Sequence, residues 1–323
     1  MKAIQVEELG GPENLIPAEV AEPGPPGPGQ LLVDVAAAGV NFVDTYHRTG
    51  LYDMDLPFTP GLEGAGTVAA VGDGVEEFER GDHVGWVNVL GSYAERHLVP
   101  ADQAVPVPDG VELQIAAAGL LQGLTAHYLA TDTWPLQPGD RCLIHAGAGG
   151  VGLLLTQIAK LRGAEVFTTV GSDEKAQLSR EAGADHVIVY TEEDFQAAIE
   201  EIAGPKPLDV VYDGVGADTF MKGLDLLRPR GLMATFGNAS GPAPEIAPLL
   251  LSQKGSLFLT RPTMTHYMRT REELFGRCAD LFTWLQTGDL EVRVGKELPL
   301  DRAADAHRAL EGRETMGKVL LIP

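Results

Sequence analysis

The 323-residue chain reads as an α/β protein of two domains, a partly closed β-barrel and a doubly wound parallel sheet with helices on both faces. Three observations predict this. Residues 1 to about 110 hold many short apolar or alternating segments punctuated by Gly and Pro, as in small barrels. Residues 141–236 alternate apolar runs with helical stretches in βαβαβα order, which implies a parallel sheet. At the head of that alternation stands Gly147-x-Gly149-x-x-Gly152, between an apolar run and a helix, spaced as a dinucleotide-binding turn.

Taken in order, residues 2–8 and 31–37 are the first strands. The run Pro23-Gly24-Pro25-Pro26-Gly27-Pro28-Gly29 between them is a loop, because proline denies a ladder its donors. A short helix over residues 42–48 is opened by Asn41 as cap. Strands follow at 66–71, 83–87 and 93–99, each ended by Gly, Asp or Pro. An Ala/Leu-rich helix spans 115–129. Strands at 141–146, 165–170, 186–190, 209–212 and 232–236 then alternate with helices at 150–161, 173–182, 193–202 and 219–227. Right-handed crossovers make such an order doubly wound. Residues 256–260 add a strand at an edge. The tail holds an amphipathic helix at 271–286, with Leu274, Cys278, Leu281, Phe282 and Leu285 on one stripe. A second helix at 301–311, capped by Asp301, and a closing strand at 318–322 complete it. The tail is expected to rejoin the barrel, giving domains 1–123 with 266–323, and 124–265.

Acidic residues outnumber basic ones 46 to 24, for a formal charge of −22. Such a surface repels nucleic acid and anionic membrane, so neither is an expected partner. No apolar run is long enough to span a membrane, and the N-terminal segment meets acid too early for a secretion signal. With two cysteines, Cys142 and Cys278, there is neither a disulfide framework nor a thiolate zinc cluster. The expected compartment is the cytoplasm. Against this overall charge an anionic cofactor needs a local basic pocket, which makes well-placed Lys and Arg informative.

In the glycine turn, glycine permits a sharp bend and close approach of a pyrophosphate. The unpaired amides at the helix start face the anion. Gly147, Ala148, Gly149, Gly150 and Val151 are the expected contacts.

The segment Gly139-Asp140-x-x-Leu143-x-x-x-Gly147-Ala148-Gly149-Gly150-x-Gly152-x-x-x-x-Gln157-x-x-Lys160 resembles the signature of the zinc-free quinone oxidoreductases, within the medium-chain dehydrogenase/reductase superfamily. Other stretches agree: Gly11-Pro12-Glu13, Gly39-Val40-Asn41-Phe42-Val43-Asp44-Thr45-Tyr46, Gly61-Leu62-Glu63, Gln122-Gly123-Leu124-Thr125-Ala126, Tyr212-Asp213-Gly214-Val215-Gly216 and Phe236-Gly237-Asn238-Ala239-Ser240. The likeness extends to the terminal Leu320-Leu321-Ile322-Pro323. It implies a GroES-like catalytic domain, a Rossmann domain, no zinc and a homodimer. Zinc-dependent relatives place Cys and His near Asn41 and Leu62, and neither Asn nor Leu supplies a thiolate or imidazole.

NAD-selective sheets carry an acid near the end of the second strand. Here that strand ends in Gly171-Ser172, with Lys175 in the next turn and Tyr190 ending the third strand. The resemblance puts these positions around a 2′-phosphate, so NADPH is the expected cofactor; Asp173 and Glu174 then serve the helix dipole. It further implies cofactor contacts from Asn41, Thr125, Phe236, Gly237, Asn238 and Arg313, with Lys318 as an auxiliary.

For the chemistry, Tyr46, Tyr52 and Asn41 are the expected catalytic group, with Arg48 nearby as a donor or a plain surface residue. Tyrosines both face a flat acceptor and donate a hydrogen bond. Thr263, Met264 and Tyr267 are further lining candidates, and His47 and His127 are read as structural. The expected reaction is hydride transfer from NADPH to a quinone or other small planar acceptor. Reduction of an enone or 2-alkenal, or a nucleotide-retaining binding protein without turnover, stand as alternatives. The edge strand at 256–260 is the expected dimer contact.

Overall fold

The computed structural model describes residues 1–323, which divide into two compact units: Met1–Gln122 with Met268–Gly288 and Val292–Pro323, and Gly123–Tyr267 with Asp289–Glu291. The family-style architecture expected from the sequence is present. The first unit opens with β1 (Lys2–Gln5) paired antiparallel to β2 (Ile16–Glu19). Next come β3 (Gln30–Val40), α1 (Phe42–Thr49), β4 (Glu63–Val71), β5 (His83–Val87), β6 (Arg96–Pro100) and β7 (Ala104–Pro106). β3 is the centre of this sheet. It pairs with β4 and β6, and the chain's final strand returns to it.

The chain passes to the second unit within α2 (Leu113–Tyr128), which a single π-type turn at Leu129–Thr133 ends. There follow β8 (Arg141–His145), α3 (Gly150–Leu161), β9 (Glu165–Val170), α4 (Asp173–Glu181), β10 (His186–Val189), α5 (Phe195–Ala203), β11 (Leu208–Asp213), α6 (Phe220–Leu226), β12 (Leu227–Thr235), α7 (Pro248–Gly255), β13 (Phe258–Thr260) and α8 (Met264–Tyr267). The six strands are parallel in the order β10-β9-β8-β11-β12-β13. Counted within the sheet this is 3-2-1-4-5-6, the dinucleotide-binding order, whose direction reverses between β8 and β11. A core of Leu143, Phe167, Ile199, Val211, Leu224 and Met233 fills the face under α5 and α6. Each such side chain contributes about 1.5–3 kcal/mol on burial.

The first unit is completed by α9 (Arg271–Thr287), β14 (Val294–Pro299), α10 (Ala303–Glu311) and β15 (Lys318–Ile322). β15 lies between β14 and β3. The helix α9 starts on a Thr270–Glu273 capping box and buries Leu274, Cys278, Leu281 and Phe282.

Three local expectations are corrected. Asp301 does not cap α10; it sits inside a 3-10 turn, Leu300–Arg302, and the helix begins after it. The strand expected at 93–99 starts at Arg96, because Tyr93 turns its side chain fully into the core and Tyr93 N–H bonds to Pro60 rather than to a ladder. The strand expected at 232–236 begins earlier, at Leu227, and its pairing with β11 passes through a register shift between Leu208 and Val210.

Candidate functional site

In the second unit, the glycine turn joins β8 to α3. The residue with left-handed backbone is Ala146, at φ 57°, whereas Gly147, Gly149 and Gly152 all avoid positive φ. The expectation that glycine serves the bend is therefore corrected: its role here is close approach. A Cβ on Gly147 would lie 2.6 Å from the Thr168 Cβ, and one on Gly152 would lie 2.3 Å from the Ala146 carbonyl oxygen. Gly149 is the N-cap, and Leu153 N–H makes the bond to its carbonyl at 2.9 Å. The amides of Gly150, Val151 and Gly152 are thus the orphan donors of the helix start. Gly149, Gly150 and Val151 are half-buried, so a ligand has access to this end, and an anion there gains from both the donors and the dipole.

The other candidates of this unit also follow strand ends. A Cβ on Gly171 would stand 2.8 Å from the Tyr190 hydroxyl, so glycine makes the room that Tyr190 uses beside it. Ser172 caps α4, its Oγ accepting from Lys175 N–H at 3.4 Å; its own hydroxyl proton is left to donate. Phe236 packs its ring over Gly214, and Gly237 lies where a Cβ would meet the Gly214 carbonyl oxygen at 2.2 Å. Arg261 donates to the Gly237 carbonyl at 3.2 Å, and Asn238 follows on the same loop. Thr125 is buried within α2. Tyr267 is stacked on Tyr128 with ring centroids 4.4 Å apart and accepts from Thr133.

One row of polar side chains underlies these loops. His145, Asp213 and Thr235 end β8, β11 and β12, and Thr169 stands one residue before the end of β9, in register with them. His145 Nδ1 bonds to Thr169 Oγ1 at 2.8 Å, and burial lowers the imidazole's pKa. Asp213 Oδ1 accepts from Val215 N–H, Gly216 N–H and the Thr219 hydroxyl, which ties down the Gly214 loop.

In the first unit, Asn41 is the N-cap of α1, but its side chain is turned inward. Nδ2 donates to Glu63 Oε2 at 2.9 Å and Oδ1 accepts from Lys318 Nζ at 2.7 Å. Lys318 also pairs with Glu63, and both are buried. Glu63 Oε1 accepts from Leu121 N–H at 2.5 Å. Tyr46 and Tyr52 meet edge to face, with ring centroids 5.4 Å apart; Tyr46 is buried and Tyr52 is 40% exposed. Arg48 does not face solvent or join the tyrosines. It is 1% exposed and grips Glu311 through two nitrogens, at 2.6 and 3.1 Å. Arg313 lies apart, exposed after α10 with φ 58°.

Sequence reasoning missed Asp44, Glu63, Tyr93 and His307 as members of a buried polar cluster. Glu63 and Lys318, each opening an otherwise apolar strand, were readable signals. Tyr93 and His307 were not, since 214 residues separate them. No group of three or more His, Cys, Asp or Glu has metal-holding geometry, and Asn41 and Leu62 offer no strong zinc ligand.

The family described as alcohol dehydrogenase GroES-like domain matches residues 27–109, and that described as zinc-binding dehydrogenase matches residues 150–284. A quinone oxidoreductase of Pseudomonas aeruginosa is 43% identical, over 100% of this chain and 99% of its own. A 2-haloacrylate reductase of a Burkholderia species is also 43% identical, over 99% of this chain and 98% of its own. The crystal structure of Escherichia coli quinone oxidoreductase complexed with NADPH superposes with a TM-score of 0.97 at 43% identity, covering all of both chains. With such identity from end to end and both domain families in order, the chain belongs to the quinone oxidoreductase family of the medium-chain dehydrogenase/reductase superfamily.

Proposed function

We propose that the chain is an NADPH-dependent quinone reductase that works without zinc. The observation that carries this reading is the full-length identity to quinone oxidoreductases combined with an intact cradle, Gly147–Gly152, at the strand-order reversal. The residues present fit a dinucleotide phosphate: the helix start leaves three amides without helical partners and is half-buried at Gly150 and Val151. When bound, NADPH supplies a hydride from its nicotinamide. The Gly147, Ala148, Gly149, Gly150 and Val151 backbone holds the pyrophosphate. Ser172 and Lys175, which follow Gly171, and Tyr190 beside it hold the 2′-phosphate; Thr125, Phe236, Gly237 and Asn238 complete the cofactor contacts of the second unit. Asn41 orients groups at the start of α1. Tyr46 and Tyr52 offer a flat acceptor an aromatic edge and a hydroxyl donor. Solvent protonates the reduced acceptor.

A second reading, reduction of a conjugated carbon–carbon double bond, is favoured by the equal identity to the 2-haloacrylate reductase. Following NADPH absorbance with p-quinones, enones and 2-haloacrylates separates the two; faster turnover of enones or haloacrylates than of every quinone overturns the first.

The protein is further expected to be a cytoplasmic homodimer joined through β13, an edge strand on which Phe258 and Leu259 are exposed. No helix is long and apolar enough to cross a membrane. Light scattering that finds a monomer refutes the dimer.

A further inference from the structure

A string of buried hydrogen bonds in the first unit ends on Asp44, which lies in the first turn of α1 and is fully buried. Its Oδ2 accepts from the Asn41 amide at 2.8 Å and from the Tyr93 hydroxyl at 2.9 Å. Tyr93 Oη lies 3.2 Å from His307 Nε2, and His307 Nδ1 lies 3.2 Å from Arg48 Nη1. Arg48 is anchored by Glu311 and by the Gly10 carbonyl.

The direction of this string follows from donor chemistry. A guanidinium only donates, so His307 Nδ1 accepts. Burial pushes the His307 imidazole down to about 3, so it is neutral near pH 7 and its proton sits on Nε2. Nε2–H therefore donates to Tyr93 Oη, and the one Tyr93 proton goes to Asp44 Oδ2. Because Arg48 holds on to its protons, the string is no proton wire; it is a polarised row of donors aimed at one carboxylate oxygen.

The other oxygen, Asp44 Oδ1, is buried with no partner. A proton adds there without breaking either bond to Oδ2. The remaining charges that face Asp44 are Glu63 on β4 and Lys318 on β15, which are paired with each other; Arg48, which faces Tyr93 and His307, is matched to Glu311. Asp44 thus carries the unbalanced charge of the cluster. Its neighbour Asn41 is tied to it through the backbone amide, and to Glu63 and Lys318 through the side chain.

We propose that Asp44 is a positioning residue of the reductase, whose charge, directed by Tyr93 and His307, fixes Asn41 and the first turn of α1 in the working arrangement. The proposal rests on the reductase reading given above. Burial pushes the Asp44 carboxyl up to about 7, so this charge changes in the neutral range. The ionised form makes charge-assisted bonds to Asn41 and Tyr93, and is the working form.

The test is the pH profile of kcat/KM for a p-quinone with saturating NADPH, in wild type, Asp44→Asn and Tyr93→Phe. The wild type rises with pH through an ionisation near 7 to a plateau. Asp44→Asn gives a flat profile, lower than that plateau by roughly 5- to 10-fold, the difference between charge-assisted and neutral bonds. Tyr93→Phe keeps the rising limb and moves it to higher pH, because the ionised carboxylate loses a donor. Carboxyl carbon NMR gives a readout independent of turnover: one aspartate resonance titrates near 7 in wild type and is missing in Asp44→Asn. Turnover with the same rising limb in Asp44→Asn, or an Asp44 carboxyl that titrates below 5, overturns the assignment while leaving the reductase reading intact. No turnover at any pH with any acceptor overturns the reductase reading itself.

Discussion

Gly152→Ala is the sharpest test of the cradle. The new Cβ would lie 2.3 Å from the Ala146 carbonyl oxygen, 2.9 Å from Gly147 Cα and 3.0 Å from Gly147 C. All three are backbone atoms, so no rotamer change relieves the contact. An ordinary carbon–oxygen contact is on the order of 1 Å longer, so the turn and the helix start must separate by about that much. Overpacking of this kind costs about 1–3 kcal/mol, which lowers the melting temperature by roughly 2–10 °C for a unit of this size. The same shift misaims the amides of Gly150 and Val151, and a misplacement near 1 Å weakens a preorganised site by roughly 100-fold. Gly149→Ala is the comparison for stability alone, because its Cβ meets only the Ala146 oxygen, at 3.2 Å, which need give by only a few tenths of an ångström. NADPH affinity by fluorescence titration and thermal unfolding by circular dichroism are measured side by side. Gly152→Ala with wild-type melting and NADPH affinity within about 2-fold of wild type would refute the close-approach account.

Other outcomes follow from the same geometry. Lys175→Ala is expected to lower kcat/KM for NADPH by roughly 10-fold or more while leaving NADH unchanged, since it removes one charge opposite a phosphate; equal losses for both cofactors count against the 2′-phosphate pocket. Glu63→Gln strands the buried Lys318 ammonium, which is 1% exposed, and is expected to destabilise the first unit by about 3–5 kcal/mol in urea unfolding; a loss under about 1 kcal/mol would mean that the pair is not insulated from water. Cys142 and Cys278 are buried thiols, with the Cys278 thiol pushed up to about 12 by burial and that of Cys142 pushed up further. Neither is expected to react with a thiol reagent at pH 8 until urea unfolds the chain, and a fast stoichiometric reaction of the folded protein contradicts this. Because the folded-state pKa of Asp44 is raised above 3.8, folding favours its protonated form, so this group's contribution to stability falls as pH rises from about 4 to about 7. Asp44→Asn is expected to remove that slope from unfolding curves taken across the window.

The periodic elements were legible because their causes are local. Residues 141–236 alternate buried strands with helices, and that alternation leaves a parallel sheet as the one way to bury both faces. The Gly147–Gly152 spacing located the strand-to-helix turn for the same reason: strand, turn and the first residues of the helix lie within a dozen residues. Tyr190 beside Gly171 came from reading strand ends in order, whereas the capping of α4 by Ser172 was seen only in the structure. Less was legible where the cause is distant. The need for glycine at position 152 is set by the Ala146 carbonyl, and which residue takes the left-handed backbone could not be read from a run of alanines and glycines.

By itself the sequence determined the alternation of strand and helix that makes a parallel sheet, the glycine turn at its head, the absence of Cys and His at positions 41 and 62, and the family; the strand order came from the structure. Tertiary structure decided what the charged residues of the first unit do. Arg48 reads locally as a surface residue at a helix end, yet it is buried because Glu311 and the Gly10 carbonyl meet it there. Asp44 reads as a first-turn acid suited to a helix start, yet Tyr93, His307, Glu63 and Lys318 arrive from four other segments to surround it. Local pattern reports which face of an element is apolar, because that depends on period. It does not report the partner of a buried charge, because a charge is held by whatever the fold brings within about 3 Å of it, from any distance along the chain.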